Sequence, residues 1–530
     1  MTYTTIGSVL RANLKNNPDR EALIFRDQRL TYRQLGAQVD RLAEALLALG
    51  IRKGDHVAVD LPNWLEFVFA HFAITRIGAA IVLVNPRYRE IELAHILRDS
   101  NAVALILPVE FENFYYLPMI RKLRADLPDL RHVIAVGEQT NVEPDVICFD
   151  ELVARTSGKP VTEAAIDPAQ DLAFLMYTSG TTGKPKGAMI THANFVKTTM
   201  TAAEPFGIRA DDVFLVLVPV THIIGLFCMN TAFFNHAKVI LVDIFKAEPV
   251  AQLIERERVT VQYAVPTVFT LELAQADRYN ITSLRTGLIA GASVPAELLR
   301  RLVAMNIQVH PQYGMTETAG GLTTTRVDDS PADRTETVGR ALAGVEVKFV
   351  DQGRRPVPEG QVGEIAVKSH GLMKGYYKQP EVTTAAFDAE GWFYTGDLGY
   401  RDARGYIRIV GRKKDMIIRG GYNIYPREIE DLLYHCPGVL EATMVGVPDP
   451  VLGEKTCACI RAQPSARLTE SEIKDFCRGK LADYKVPDYV QFVESFPQTV
   501  TGKINKVLLT EEIAKTIAAD HSRHAKRNTL

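Results

Sequence analysis

The sequence has almost no net charge: 61 Lys and Arg stand against 63 Asp and Glu, a formal balance of −2. Without a basic excess there is no electrostatic footprint for nucleic acid, and no such partner is expected. It also lacks any C-x-x-C pair among its six cysteines, Cys148, Cys228, Cys436, Cys457, Cys459 and Cys477. Cys457 and Cys459 alternate in a strand-like run and share one face, which predicts packing rather than a metal site. The usage fits a reducing compartment, so a cytoplasmic protein is expected. The opening "MTYTTIGSVLRANLKNNPDR" has no apolar segment of the secretory kind. One stretch, Phe214 to Phe234, is free of charge and long enough to span a bilayer. Pro219, His222 and Asn230 interrupt it, and polar groups at membrane depth are costly. It reads better as a buried strand ("VFLVLVP"), a turn ("VTHIIG") and a buried helix ("LFCMNTAFF"), so no transmembrane segment is expected. There is no internal repeat and no low-complexity run.

A Walker A loop is missing too, although "YTSGTTGKPKG", Tyr177 to Gly187, packs glycines, hydroxyls and lysines as if to hold phosphate. Walker A needs four residues between its glycines and a hydroxyl after its lysine. Here two residues separate Gly180 from Gly183, and Lys184 is followed by Pro185. A Walker loop also runs from strand into helix. "DLAFLMY" and "GAMIT" both read as strands, and the helix signal comes later, with Thr191 as an N-cap before "HANFVKTTM". The stretch is therefore a hairpin tip rich in N–H and O–H donors. Glycine-rich tips are also ordinary turn chemistry, so the hairpin by itself decides nothing.

What is present is a long chain with a globular balance: 530 residues, 47% apolar and 23% charged, enough for about three domains. Strand-like runs alternate with helical patterns: "HVAVDLP" then "WLEFVFAHFAITRIG", "AAIVLVNP" then "REIELAHILRDS", "VQYAVP" then "TVFTLELAQAD". That alternation predicts α/β layers. Near residue 345 short strands take over ("VEVKFVD", "GEIAVKS", "GYIRIVGR"), predicting a small β-rich subdomain. After "GRKKD" a compact mixed pattern follows. The expected class is α/β: a large N-terminal domain of α/β layers plus the β-rich subdomain, 1–411, and a small α+β C-terminal domain, 412–530. The polar, basic end "HSRHAKRNTL" reads as a frayed tail.

Four further stretches join the hairpin. "QYGMTET" (Gln312 to Thr318) follows a short strand, "QVH". "WFYTGDLG" places Asp397 in a turn. "GRKKDMIIRGGYNIYPREIE" opens the last domain with Arg412. "PQTVTGKINK" puts Lys503 on a turn near the end. Each alone is ordinary. Together, and in this order, they resemble the adenylate-forming superfamily of acyl-CoA synthetases, luciferases and peptide-synthetase adenylation domains, over essentially the whole chain.

The resemblance implies ATP, Mg²⁺ and coenzyme A as cofactors and a small carboxylic acid as substrate, joined first to AMP and then to the CoA thiol. A carboxylate is a poor acyl donor, and its anhydride with AMP is a good one. Two anions must meet, so cations must screen them. By resemblance Glu317 holds Mg²⁺ with Thr178 as partner, since hard oxygens suit that ion. Lys503 bridges the carboxylate and the α-phosphate. Ser179, Gly180, Thr181, Thr182, Gly183 and Lys186 hold the departing pyrophosphate. Tyr313, within Gln312, Gly314, Met315 and Thr316, lies against adenine, with Gly291, Ala292 and Ser293 on its other side. Asp397 accepts the ribose hydroxyls and Arg412 adds a contact. The small domain is expected to be mobile, rotating about Lys414. That rotation withdraws Lys503 and brings up Gly420 and Gly421, which have no side chains to obstruct a pantetheine arm.

Amino-acid-activating relatives carry an Asp in the segment matching "PVTHIIGL", to pair the substrate ammonium. This chain has Thr221, His222 and Ile223 there. His222 resembles the histidine at the acyl pocket's entrance in acyl- and aryl-CoA synthetases. The pocket is expected to draw on Ile223, Ile224, Gly291, Gly314, Met315, Ala319, Gly320 and Gly321, with no evident cation. A hydrophobic monocarboxylate is therefore expected, fatty, alicyclic or aromatic. An acyl-AMP ligase or luciferase-like oxidase without a CoA product is the alternative. A binding protein without catalysis would be expected to have lost Lys503 or Glu317. "PQTVTGK" also fits P-x-x-x-x-G-K, a pattern that bacterial acetyltransferases use on such enzymes. It implies an acetyltransferase and a deacetylase acting on Lys503, and a homodimer is the expected assembly.

Overall fold

The computed structural model describes residues 3–527, apart from 139–144, 179–184, 292–293, 295, 421, 465, 479 and 499–503, with backbone alone at 296 and 518–527. The chain divides into two compact units, Met1–Val347 with Val367–Phe393, and Lys348–Ala366 with Tyr394–Leu530. The predicted α/β layers followed by a smaller α+β part are found. The second unit takes in strands upstream of residue 412. That division is one of compactness, whereas a swing about Lys414 would divide the chain by motion.

The first unit holds two large sheets. One has seven strands in the spatial order Lys186–Thr191, Leu172–Thr178, Ala80–Leu83, His56–Val59, Ala104–Pro108, His132–Val136 and Val146–Cys148. All are parallel except the edge strand Lys186–Thr191. The other has nine, in the order Arg340–Ala341, Gly320–Thr324, Gln308–Met315, Thr286–Ile289, Val261–Ala264, Val213–Val216, Lys238–Leu241, Glu21–Phe25 and Gln28–Thr31. Its middle is parallel. Val213–Val216 leads to Lys238–Leu241 on one side of it, while its other neighbour, Val261–Ala264, leads away to Thr286–Ile289, so the connections from two adjacent strands run to opposite sides. In open α/β sheets such a switch point is where ligands bind.

Helix Leu65–Arg76 is buried on every residue but Glu66, as an element covered on all sides must be. Its His71 stacks on Phe174 of the seven-stranded sheet at 5.7 Å and meets Asn230 Oδ1 at 3.0 Å. Asn230 belongs to helix Ile223–Phe234, which packs on the nine-stranded sheet. The uncharged stretch weighed as a membrane span is therefore interior. Its strand is Val213–Val216, and its helix starts at Ile223, inside the segment expected to be a turn. Among the described residues no helix is long and apolar enough to cross a membrane.

Strands Val345–Val350, Gly363–Ser369, Phe393–Arg401 and Ile407–Arg412 form a four-stranded sheet, the expected β-rich segment. The second unit then builds a five-stranded sheet around Val439–Asp449 and Gly453–Ala462. Alternation gives that sheet two apolar faces. Helices Pro426–Leu433 and Glu470–Cys477 cover one through Ile429, Leu433 and Ile473. The other receives Leu509, Ile513 and Ile517 against Cys457, Cys459 and Val445. The two cysteines thus share a face and pack in a core, as expected. The expected frayed tail is instead the end of a helix, Lys506–Arg527. Its stripe at every fourth residue docks the first half, and adding turns to a formed helix is easy.

Candidate active site

The strands on either side of the glycine-rich stretch pair with each other, as expected of a hairpin. Leu172–Thr178 pairs antiparallel with Lys186–Thr191, placing Thr178 opposite Lys186. Helix His192–Ala203 follows, capped as expected: Thr191 Oγ1 accepts from Asn194 N at 3.2 Å, and Asn194 Oδ1 accepts from Thr191 N at 3.1 Å. Two anchors at the hairpin base were not anticipated. Tyr177 Oη donates to Asp99 Oδ2 at 2.6 Å, and His95 Nε2 lies 2.9 Å from Pro185 O.

Glu317 sits on a single 3₁₀ turn, Thr316–Thr318, where strand Gln308–Met315 doubles back into Gly320–Thr324. The expected short strand before "QYGMTET" is longer, because Gly314 lets the hairpin close: a Cβ there would stand 1.9 Å from Gly320 O. Ala319 takes the left-handed conformation that reverses the chain. Gln312 is buried with its side chain against Gly321, and Tyr313 pairs with Thr323. The turn leaves Glu317 7% exposed. Its Oε1 accepts from Thr178 Oγ1 at 3.3 Å and from Tyr376 Oη at 3.0 Å. Thr178 and Glu317, expected partners, are therefore brought together.

Tyr376 was missed by sequence reasoning. Residues 373–377 run antiparallel along the edge strand Lys186–Thr191, through Lys374 N to Met189 O (2.8 Å), Met189 N to Gly375 O (3.0 Å) and Tyr377 N to Gly187 O (2.8 Å). That pairing delivers the phenol to the carboxylate. Burial first, then the Glu317 charge, raise the Tyr376 pKa and keep it a proton donor. Lys186 Nζ lies 5.5 Å from the centre of its ring. Carboxylate, Thr hydroxyl and Tyr hydroxyl are the hard oxygens a Mg²⁺ site needs, so this set fits the expected ion.

His222 caps helix Ile223–Phe234, its Nδ1 accepting from Ile224 N at 3.4 Å. The loop before it folds back on the first turn, since a Cβ on Gly225 would stand 2.3 Å from Pro219 O. Ile223 and Ile224 lie beside two of the expected pocket glycines. A Cβ on Gly320 would be 4.0 Å from Ile223 Cγ1, and one on Gly291 would be 3.6 Å from Ile224 Cδ1. Both glycines have positive φ. Gly314 and Gly321 instead serve close packing within their hairpin. Met315 and Ala319 lie at its turn.

The second unit carries its own set. Asp397, expected in a turn, is in strand Phe393–Arg401 and pairs in register with Arg412. Gly396 takes φ +74, which lets "TGD" stay in a strand. Arg412 Nε lies 3.3 Å from Asp397 Oδ1, so the two expected ribose contacts are neighbours. Lys414 is exposed on a 3₁₀ turn, Lys413–Asp415, beside Lys413, which pairs with Glu364 at 2.8 Å. Gly420 begins the turn between Ile417–Arg419 and Tyr422–Ile424. Ser179, Gly180, Thr181, Thr182, Gly183, Ala292, Ser293, Gly421 and Lys503 lie outside the described residues.

Two family models match the chain: "AMP-binding enzyme" over residues 10–377 and "AMP-binding enzyme C-terminal domain" over 428–503. The chain is 36% identical over 543 residues to YngI of Bacillus subtilis, covering 97% of each chain. It is 34% identical to the mitochondrial medium-chain acyl-CoA ligase ACSF2 of Mus musculus, over 97% of this chain and 88% of that one. It is also 34% identical to the medium-chain fatty-acid–CoA ligase of Escherichia coli, over 92% and 87%. Its structure resembles that of the anthranilate CoA ligase AuaEII in complex with anthranoyl-AMP. The TM-score is 0.89 and the identity 29%, covering 97% of this chain and 98% of that one.

Proposed function

The chain belongs to the AMP-binding enzymes, and from that premise, an AMP-forming acid–CoA ligase that uses ATP, Mg²⁺ and CoA, we propose that its acid is a hydrophobic monocarboxylate, a medium-chain fatty acid first. One observation carries this. Ile223 and Ile224, near a sheet switch point, lie beside the glycines Gly320 and Gly291, so these four positions offer an acid only apolar side chains or none. A second carboxylate there would need a buried Arg or Lys. The names of the mouse and E. coli relatives support the same class.

Pyrophosphate release and thioester formation should be measured with octanoate, decanoate, benzoate, malonate and alanine, with and without CoA. Thioester from the first two, and none from malonate or alanine, is the expected outcome. Preference for malonate would sink the apolar pocket. Pyrophosphate release without any thioester would favour an acyl-AMP ligase.

In this reading Glu317 and Thr178 hold the Mg²⁺, which screens phosphate charge when bound. Lys503 bridges the acid and the α-phosphate. The hairpin residues Ser179 to Gly183 and Lys186 hold the leaving pyrophosphate. Tyr313 stacks on adenine, Asp397 accepts the ribose hydroxyls with Arg412 beside it, and His222 guards the acid. A swing about Lys414 then exchanges Lys503 for the Gly420–Gly421 turn. The compartment proposed is the cytoplasm, since all six cysteines are unpaired. An acetyltransferase and a deacetylase acting on Lys503 are proposed as partners on the "PQTVTGK" pattern.

Tyr376 gives a sharp test of the Glu317 assignment. Tyr376→Phe removes the hydroxyl and keeps the ring under Lys186. Adenylation should fall about tenfold, the cost of one charge-assisted hydrogen bond, and more Mg²⁺ should be needed for half-maximal rate. Conversion of supplied acyl-AMP and CoA should not change. An unaltered Mg²⁺ dependence would remove Tyr376 from the ion's surroundings.

A further inference from the structure

The segment "DLPNW", Asp60 to Trp64, follows strand His56–Val59 of the seven-stranded sheet. One side chain in it reaches into the other sheet. Asn63 is 3% exposed. Its Nδ2 lies 3.3 Å from Val216 O, 3.2 Å from Val218 O and 2.9 Å from Val242 O. Its Oδ1 accepts from Val220 N at 2.9 Å. Val216 ends the switch-point strand, and Val242 follows its parallel neighbour Lys238–Leu241. A single amide thus holds together the carboxyl ends of two strands and the loop that leaves one of them.

That loop ends at His222, and Ile223 and Ile224 open the helix that follows. We propose that Asn63 is a positioning residue for acid binding: by fixing residues 216–220 it sets where His222 and the first turn of helix Ile223–Phe234 stand. The inference rests on the acid site proposed above.

Three further observations bear on it. Trp64 Nε1 donates to Asp243 Oδ2 at 3.1 Å, so the next residue braces the same strand end. His71, eight residues on, holds Asn230 in the middle of that helix. Gly225 packs against the same loop, with Val218 O and Pro219 O within 2.4 Å of where a Cβ would be. The loop is therefore bonded by Asn63 and packed closely on Gly225. Both amide hydrogens and the amide oxygen are in use, and a buried group so engaged is costly to replace. No other side chain fits this role as well. Aspartate has no donor for the three carbonyls, and glutamine is longer by a methylene.

Two variants test this: Asn63→Ala removes the bonds that hold the loop, and Gly225→Ala displaces it by crowding Val218 O and Pro219 O. Each is assayed by acid-dependent pyrophosphate release, using whichever acid of the panel the wild type takes and homologues one to four carbons shorter and longer. A sub-ångström shift of the loop should raise KM for the acid about tenfold, since small misplacements at a reacting site are expensive. The chain-length optimum should move or broaden, while KM for ATP stays within about twofold. Melting temperatures are recorded alongside, and a fall in them alone does not produce this split. If Asn63→Ala does not fold, Gly225→Ala decides. An unchanged acid profile in the folded variants, or KM values for acid and ATP rising together, overturns the proposal. Failure of the apolar-pocket reading would look different: the wild type itself would prefer a polar or dicarboxylic acid, and the variants would then be scored on that acid.

Discussion

Lys503→Ala loses acyl-AMP formation by at least about a hundredfold and still converts supplied acyl-AMP and CoA to thioester. The size follows from the role proposed for Lys503, a positive side chain set against charge that develops as carboxylate meets phosphate. The asymmetry follows from the proposed swing, which would take Lys503 out of the second step. Lys503 itself lies outside the described residues, but the chain on both sides of it is held. Gln498 pairs with Ile504, and Asn505 N donates to Pro497 O at 2.8 Å. Lys506 Nζ pairs with Glu430 Oε1 at 2.7 Å, and that oxygen also accepts from Thr443 Oγ1 and Met444 N. Acetylation of Lys503 removes the same charge and adds bulk, so stoichiometric acetyl-Lys503 should abolish adenylation, and a deacetylase should restore it. Both half-reactions are measured on the alanine variant. An equal fall in both would exclude the two-conformation reading, and full activity of the acetylated protein would exclude the catalytic role.

What the sequence made legible is local. The hairpin around Tyr177 to Gly187, the Thr191 cap and the alternating strands and helices depend on neighbours a few residues apart, and the structure has them. The misses come from longer reach. Asp397 reads as a turn residue because "TGD" carries turn chemistry, yet pairing with Arg412 keeps it in a ladder. "QVH" reads as a short strand that ends before "QYGMTET", yet the strand runs on to Met315, and Gly314 is what allows two strands to approach. Tyr376 reads as one tyrosine among many. Its role appears only when a segment 59 residues after Glu317 pairs with the hairpin's edge strand. Asn63 is further still, more than 150 residues from the loop it holds. No periodicity or spacing signals such contacts, because they are made by one sheet reaching to another.

Gly421→Leu should show the reverse of Lys503→Ala: pyrophosphate release that still depends on the acid, with thioester production lower by about a hundredfold. Gly421 lies outside the described residues, and the strands on either side of it are described: Arg419 pairs with Tyr422. Gly420 has φ +58, the left-handed conformation that glycine adopts freely. The turn is fixed from behind. Gly420 N donates to Leu452 O at 2.8 Å, and Arg419 grips Asp488 with two bonds, Nε to Oδ2 at 2.8 Å and Nη2 to Oδ1 at 2.7 Å. Asp488 is held in turn by Thr456 N at 2.9 Å. If a pantetheine arm passes over this backbone, four added carbons block it, while adenylation, proposed to use the other face of the domain, goes on. Gly421→Ala should fall between wild type and Gly421→Leu, since its single carbon obstructs less. The comparison is made with acyl-AMP supplied, so that only the thiol step is timed. Wild-type thioester turnover in the leucine variant would take this turn out of the CoA path and leave the domain swing without its second face.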